Sequence, residues 1–327
     1  HTTNLEGAKL RVDPMTGAPG IVTLCRAARP HTTAHPVDAT PPGACPFCPG
    51  NEHETPPEVL HTGDGDPDAP GWRIRVVPNR YPVVGGPDAR PGATGAHEVL
   101  VLSPDHEATL ADLAEDHAVA VLTVLRDRAR HHVAAGRAHA QVLINHGRAA
   151  GASIAHPHAQ VIAVDLVPPL VLEREARAEA AGGDLLALDL AGARTAGTVV
   201  EEVDGAPAWV PVAGAWPWGL RIAPPERVAR FDEATDPSVA AVARVLRRVL
   251  ARLGAALGPH AHNVVVHSGA PDVSSGLLPW FVEVVPRLGV HAGFELGTGI
   301  LVNPVPPEAA AATLRGSEPP CESTSAP

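Results

Sequence analysis

The sequence predicts an α+β protein made of two copies of one unit, with a mostly antiparallel sheet and helices packed on it. Three observations carry that reading. Two stretches of similar length, 108–135 and 237–257, space their apolar residues at the helical period. Each is followed by the same succession of a strand, a Gly-rich turn and a second strand. The chain of 327 residues is long enough for about two domains or one large one. Duplication of one α+β unit is the economical account. Residues 1–180 and 181–315 are then its halves, and 316–327, rich in Ser, Glu and Pro, a disordered tail.

In chain order, residues 1–20 read as an irregular arm and Ile21–Arg26 as a strand, followed by a Pro- and Thr-rich loop to Cys45. A turn-rich loop covers 62–71. Trp72–Val77 alternates as a strand and is ended by Pro78-Asn79-Arg80-Tyr81-Pro82; His97–Leu102 is the next strand, closed by Ser103-Pro104-Asp105-His106. The first helix carries Leu110, Leu113, Val121, Leu122 and Leu125, with Gly136 as its stop. Gln141–Asn145 and His158–Val164 are strands around a Gly/Ala-rich turn. The low-complexity stretch 182–198 reads as a helix with a loop. The second helix places Val242, Val245, Leu246, Val249, Leu250 and Leu253 on one side, before strands His262–His267 and Trp280–Val285.

Composition excludes several classes. Lys and Arg total 25 against 36 Asp and Glu, a net charge of −11, which argues against a protein whose main task is gripping nucleic acid. A small phosphate pocket lined by a few arginines remains compatible with it. No apolar run reaches the ~18 residues of a membrane span, and the first 20 residues lack the apolar core of a signal peptide. A cytoplasmic protein with no membrane or nucleic-acid partner is expected. Four cysteines are too few for a secreted disulfide scaffold.

The chemistry concentrates in the run from Asn145 to Gln160. On an extended strand, alternate residues share a face, so His156, His158 and Gln160 point the same way. The glycine-rich turn before them offers backbone N–H groups that can cradle an anion. A neutral imidazole aimed at such a cradle can attack phosphorus, and the phosphoramidate it forms is labile. Two surface histidines beside a proline are the plainer account of a lone His-x-His. Cys45-Pro46-Phe47-Cys48, taken alone, fits redox activity or two buried thiols as well as a metal.

Ser153 to Gln160, with Asn145 and Gly151, resembles the active-site motif of the galactose-1-phosphate uridylyltransferase family, a branch of the histidine-triad superfamily. Further matches follow in the same order. Arg26-Ala27-Ala28-Arg29-Pro30 is similar to the family's N-terminal arginine pair, and Cys45-Pro46-Phe47-Cys48 with Pro49-Gly50-Asn51 to its zinc-binding loop. Pro78 to Pro82 resembles its ribose-contacting segment, and Ser103 to His106 its third zinc-ligand position. The five pieces fall in the correct order, and the resemblance as a whole runs from about residue 10 to 310. Toward the C-terminus, Gly293 to Gly299 with Asn303-Pro304 is more similar to the ADP-glucose phosphorylase branch, and Leu301 stands where the galactose enzymes tend to carry a polar residue.

The resemblance implies a fold of duplicated histidine-triad-like units and a nucleotidyltransferase of carbohydrate metabolism. It would move a nucleoside monophosphate from a nucleoside-diphosphate sugar to a sugar 1-phosphate, by ping-pong through a nucleotidyl-histidine. His158 would be the nucleophile and Gln160 the group that hydrogen-bonds the intermediate. Substrate contacts would come from Arg26, Arg29, Asn79, Asn145, Gly151 and Ser153, with Phe294 and Glu295 as a sugar-contacting pair. Zinc would be held by Cys45, Cys48, His106 and His156, as two thiolates and two imidazoles in a closed structural site; His53, His97 and His146 are the rival ligands. A homodimer is implied as well. In the second repeat Pro279 to Glu283 occupies the place of His156 to Gln160, so Phe281 stands where a nucleophile would be and that half is expected to be silent, without a second metal.

Two alternatives stay within the superfamily: transfer to inorganic phosphate, as in ADP-glucose phosphorylase, and hydrolysis of nucleotide adducts. Hydrolytic relatives carry a third histidine where this chain has Gln160, and an amide has no ionisable proton to give a leaving group. A third reading, a zinc-stabilised binding protein with a degenerate site, conflicts with an intact His158 and cradle.

Overall fold

A ten-stranded sheet organises the chain, and every neighbouring pair of strands in it is antiparallel. The structure is a computed structural model and describes residues 9–22, 42–85, 93–272, 276–290 and 292–316. Strands β1 (Lys9–Val12) and β2 (Pro19–Val22) come first, then β3 (Leu60–Gly63), β4 (Trp72–Pro78), β5 (Gly95–Val101), helix α1 (Glu115–Ala134), β6 (His139–His146) and β7 (His158–Val164). Helices α2 (Pro169–Ala181) and α3 (Leu185–Ala196) lead to β8 (Val199–Val203), β9 (Ala206–Trp209) and β10 (Leu220–Ile222). Helix α4 (Asp236–Leu257), β11 (His262–His267), β12 (Phe281–Pro286), α5 (Gly293–Thr298), β13 (Leu301–Asn303) and α6 (Pro307–Gly316) complete it.

The sheet order is β3-β4-β5-β7-β6-β11-β12-β10-β9-β8. The expected succession of helix, strand, turn and strand occurs as α1-β6-β7 and again as α4-β11-β12. The two copies meet at the β6–β11 seam, where Asn145 pairs with Asn263 and Ile144 with Val264. Helices α1 and α4 pack on each other and on one face of the sheet. Their apolar sides, Val121, Leu122 and Leu125 from α1 and Val242, Leu246 and Val249 from α4, fill a core with Val142, Val161 and Val264.

The first helix starts at Glu115 rather than near 108, because Asp112 draws the Thr109 N–H and hydroxyl to one carboxylate oxygen at 3.0 and 2.6 Å. Such a local side-chain bond competes with the helical one. Gly136, at φ +90°, ends the helix as expected. The stretch 182–198 is mostly helical: Asp184 caps α3 by accepting the Leu186 and Ala187 N–H groups, and Gly197 at φ +68° closes it.

The N-terminal arm differs from expectation. Residues 9–22 form the β1–β2 hairpin, and β13, from the far end of the chain, pairs in parallel with β2. Asp13, at the hairpin bend, is buried against Arg221 of β10. That partner lies 208 residues away, and no local pattern announces it. The segment predicted as Ile21–Arg26 is described only to Val22, where it belongs to β2; the rest of it, Arg26 and Arg29, and the tail after Gly316 lie outside the described residues.

The other sheet face is covered unequally. Around Phe281 it is filled by Met15, Leu185, Leu186 and Trp209. Around β4, β5 and β7 it is covered by the cysteine loop, with Phe47 packed on Val77, Val99 and Val101. This thinner cover leaves room for a cleft.

Candidate active site

Strand β7 alternates between the two faces. Ala159, Val161 and Ala163 are buried in the helix-side core, so His158 and Gln160 face the cysteine loop. The turn before β7 holds one short helical turn, Arg148–Ala150, between two residues at positive φ, Gly147 at +79° and Gly151 at +92°. A Cβ on Gly147 would come within 2.9 Å of the Ala261 side chain, so this position excludes larger residues by space as well as by torsion. The turn is fastened to β11 by Asn263, whose amide N–H groups donate to Asn145 Oδ1 and to the Ala150 carbonyl, each at 2.8 Å.

His158 is nearly enclosed. Its Nδ1 lies 2.8 Å from the His156 carbonyl, which can only accept, so Nδ1 carries the proton and Nε2 keeps its lone pair. The Phe47 ring stands edge-on at 5.3 Å and 63°. Burial pushes the basicity of His158 below that of a free imidazole, against a smaller opposing effect of the His156 carbonyl. The ring is therefore neutral, and nucleophilic, at neutral pH.

His158 and Gln160 open onto a cleft of about 540 Å³ lined by Phe47, Asn79, Arg80, Tyr81, Ser153 and Ile154, among others. This volume lies in the range of small-molecule sites. Asn79 follows β4 and accepts the Tyr81 N–H at 2.8 Å. Tyr81 is 80% exposed at the rim.

Cys45, Cys48, His106 and His156 converge beside His158, with their four ligand atoms all within 4.8 Å of one another. Sγ of Cys45 and of Cys48 lie 3.7 and 3.6 Å from His156 Nδ1, and Cys48 Sγ lies 3.2 Å from His106 Nδ1. Tetrahedral zinc with ordinary bond lengths asks for sulfur–nitrogen separations of about 3.5 Å, so the donor set fits a metal. His156 Nε2–H donates to the Ser103 carbonyl at 2.9 Å, which turns Nδ1 toward the thiols. The cysteine loop is itself held by Asn51, whose amide donates to the Cys45 carbonyl, and by buried Glu52, which accepts from Gly50 N–H and Trp72 Nε1–H. Burial and the neighbouring Cys45 raise the Cys48 thiol to about 11; a bound cation reverses that preference.

The rival ligands sit elsewhere. His53 is exposed beside Glu54; His146 stacks on His262 at 4.8 Å; His97 contacts Gln160. Asn145 lies near the end of β6, Gly151 is in the turn between β6 and β7, and Ser153 lines the cleft. Phe294 and Glu295 lie on the exposed helix α5 and are not among the cleft-lining residues. Sequence reasoning missed Phe47 and Asn263. Phe47 counted only as a spacer between the cysteines. Asn263 is set opposite Asn145 by the β6–β11 register, which no local pattern in the sequence shows.

Residues 89–168, which include β5, β6 and β7, match the family described as galactose-1-phosphate uridyl transferase, N-terminal domain. An ADP-glucose phosphorylase of Arabidopsis thaliana is 30% identical over 332 residues, covering 95% of this chain and 93% of its own. A galactose-1-phosphate uridylyltransferase of Streptomyces lividans is 29% identical over 234 residues, covering 68% of this chain and 57% of its own. In three dimensions, the crystal structure of an ADP-glucose phosphorylase from Arabidopsis thaliana with bound ADP-glucose superposes with a TM-score of 0.82, at 29% identity over 95% of this chain and 98% of that one. Similarity in sequence and fold thus runs nearly end to end, and the family's own signature falls on the strands that carry His158 and Gln160: the chain belongs to the galactose-1-phosphate uridylyltransferase family of nucleotidyltransferases.

Proposed function

We propose that the protein transfers a nucleoside monophosphate from a nucleoside-diphosphate sugar to a phosphate-bearing acceptor through a covalent adduct on His158 Nε2. The observation that carries this reading is the fixed tautomer of His158: the Nδ1 proton is committed to the His156 carbonyl, which leaves the Nε2 lone pair free on a residue that lines the cleft with Gln160. Nε2 attacks the α-phosphorus, the bond from that phosphorus to the bridging oxygen breaks, and the sugar 1-phosphate leaves. The adduct ring carries one positive charge, shared with Nδ1–H and the carbonyl that accepts from it. In the second step an acceptor phosphate oxygen attacks phosphorus, the N–P bond breaks, and His158 returns neutral.

Gln160 hydrogen-bonds the nucleotidylated intermediate in this reading. Asn79, Asn145, Gly151 and Ser153 contact ribose and phosphates, Arg26 and Arg29 neutralise phosphate charge, and Phe294 and Glu295 contact the sugar. Cys45, Cys48, His106 and His156 hold zinc, which contributes folding energy and a fixed strand rather than reaction chemistry. The first half, to about residue 180, carries the chemistry. In the second half Phe281, 2% exposed and packed among apolar side chains, leaves no nucleophile at the equivalent place. The reading includes a homodimer working in the cytoplasm; among the described residues no helix is long and apolar enough to cross a membrane.

The acceptor is a sugar 1-phosphate or inorganic phosphate. The 30% identity with ADP-glucose phosphorylase over nearly the whole chain favours an adenine nucleotide and inorganic phosphate as the second reading. A panel of ADP-, UDP- and GDP-sugars, each with no acceptor, with phosphate and with glucose or galactose 1-phosphate, tests both. Turnover that needs an acceptor supports transfer. Equal release of free nucleoside monophosphate with and without acceptor would establish a hydrolase instead.

A further inference from the structure

His97 stands apart from the metal ligands with which its residue type groups it. It lies on β5, whose register with β7 sets Val99 against Gln160 and His97 against Ile162, so His97 is diagonal to Gln160 on the cleft face. The ring is 7% exposed and makes two close contacts through different nitrogens. At Nδ1 it meets the backbone N–H of Val83 at 3.2 Å. An amide N–H can only donate, so Nδ1 is unprotonated. A neutral ring then carries its proton on Nε2, which lies 2.8 Å from Gln160 Oε1. Asn79 Nδ2 is 3.1 Å from the same nitrogen, but it is also a donor, and Asn79 Oδ1 is already taken by the Tyr81 N–H. The Nε2 proton therefore goes to Gln160.

We propose that His97 is a positioning residue that holds the Gln160 carboxamide in one of its two orientations, oxygen toward His97 and NH₂ toward the cleft. An amide can flip by 180° with little change in shape, and the two faces have opposite chemistry. With NH₂ outward, Gln160 donates to an anionic phosphoryl oxygen; with oxygen outward, it repels one. Its Nε2 has no protein partner among the described residues, consistent with a donor kept for substrate. Burial lowers the basicity of His97, against the raising effect of the Gln160 oxygen, which keeps the ring in the neutral form this chain of bonds needs. The polarity of Gln160 is thus set at the Val83 backbone, through one imidazole. This role rests on the nucleotidyl-His158 reading.

The test compares variants that separate orientation from packing. His97→Gln can accept from Val83 and donate to Gln160; His97→Leu can do neither. Single-turnover formation of the His158 adduct from ADP-glucose or UDP-glucose is measured for the unaltered enzyme, both single variants, Gln160→Leu, and the His97→Leu/Gln160→Leu double variant. Orientation by His97 predicts that His97→Gln stays within about threefold of the unaltered rate and that His97→Leu falls by ~10-fold or more, with KM little changed. It further predicts that His97→Leu costs less than about twofold once Gln160 is already leucine, because the two then act as one unit. Equal losses from His97→Leu in both backgrounds, or equal losses from His97→Gln and His97→Leu, would overturn the proposal. Nitrogen NMR of the ring adds a readout independent of activity: the Nε2–H tautomer is expected, and an Nδ1–H tautomer contradicts the geometry. An unaltered enzyme that forms no adduct at all overturns the nucleotidyl-His158 reading, an outcome distinct from an adduct whose rate ignores His97.

Discussion

His156 and His158 are two residues apart, and the first fixes the protonation of the second. The His156 carbonyl accepts the His158 Nδ1–H at 2.8 Å, while the His156 ring turns its own Nδ1 to Cys45 and Cys48 and donates Nε2–H to Ser103. A metal held by the His156 side chain would therefore reach the proposed nucleophile through one carbonyl. In the proposed reading, the proximity of His156 to His158 would hold the strand end rigid without putting the metal in the reaction.

Cys45→Ser should lower metal content below one zinc per chain and reduce the melting temperature by roughly 5 °C or more, since structural zinc contributes folding energy. Elemental analysis and thermal melting on freshly purified protein check it. A metal-free unaltered protein with an unchanged melting curve on added zinc contradicts the assignment.

Adduct formation should persist at acidic pH. The reacting form of His158 is neutral, and burial depresses its basicity. Its rate should therefore fall only below the ~6.5 of a free imidazole. A pH profile of single-turnover adduct formation reads this directly. An acid limb at or above the ordinary imidazole value contradicts the enclosed, neutral ring.

Stability at low pH should depend on Glu98. This β5 carboxylate is buried on the helix side, which alone raises its pKa; His132 at 3.0 Å and two bonds from Arg128 overcome that and hold it at about 2. The folded value lies below the unfolded one, so the contribution is complete above ~4.5 and is lost as pH falls toward 2. Glu98→Gln should lower the melting temperature at pH 7 and flatten its fall between about pH 4.5 and 2. An unchanged slope in that window would show that other carboxylates govern acid unfolding.

Gln160→His should shift the fate of the intermediate toward water. An imidazole can move a proton where a carboxamide cannot. Release of free nucleoside monophosphate, divided by acceptor-dependent transfer, is expected to rise while the total rate falls. A ratio unchanged from the unaltered enzyme removes Gln160 from control of that partition.

Much of this architecture is legible in the residues because its signals are local. The apolar faces of α1 and α4 and the alternation of β7 follow from side-chain spacing, and the grouping of Cys45, Cys48, His106 and His156 follows from motifs in a familiar order. What escaped depends on contacts distant in sequence. Asp13 finds Arg221 across 208 residues, so a hairpin held by that pair reads locally as an irregular arm. Helices α2 and α6 and strands β8 to β10 have short or Ala-rich patterns that period alone does not separate from loop. His97 reads as a spare ligand because its role lies in which nitrogen faces Val83, and that is a matter of strand register.

The central claim is a covalent bond between His158 and a nucleoside monophosphate. Intact-protein and peptide mass measurement after mixing the enzyme with ADP-glucose or UDP-glucose in the absence of acceptor tests it most directly. The account predicts one added nucleoside monophosphate per chain, on the peptide carrying His158, lost in acid and on addition of phosphate or a sugar 1-phosphate, and absent from a folded His158→Ala variant that retains its metal. Turnover of nucleotide sugars with no added mass on that peptide, or turnover retained by His158→Ala, would contradict it.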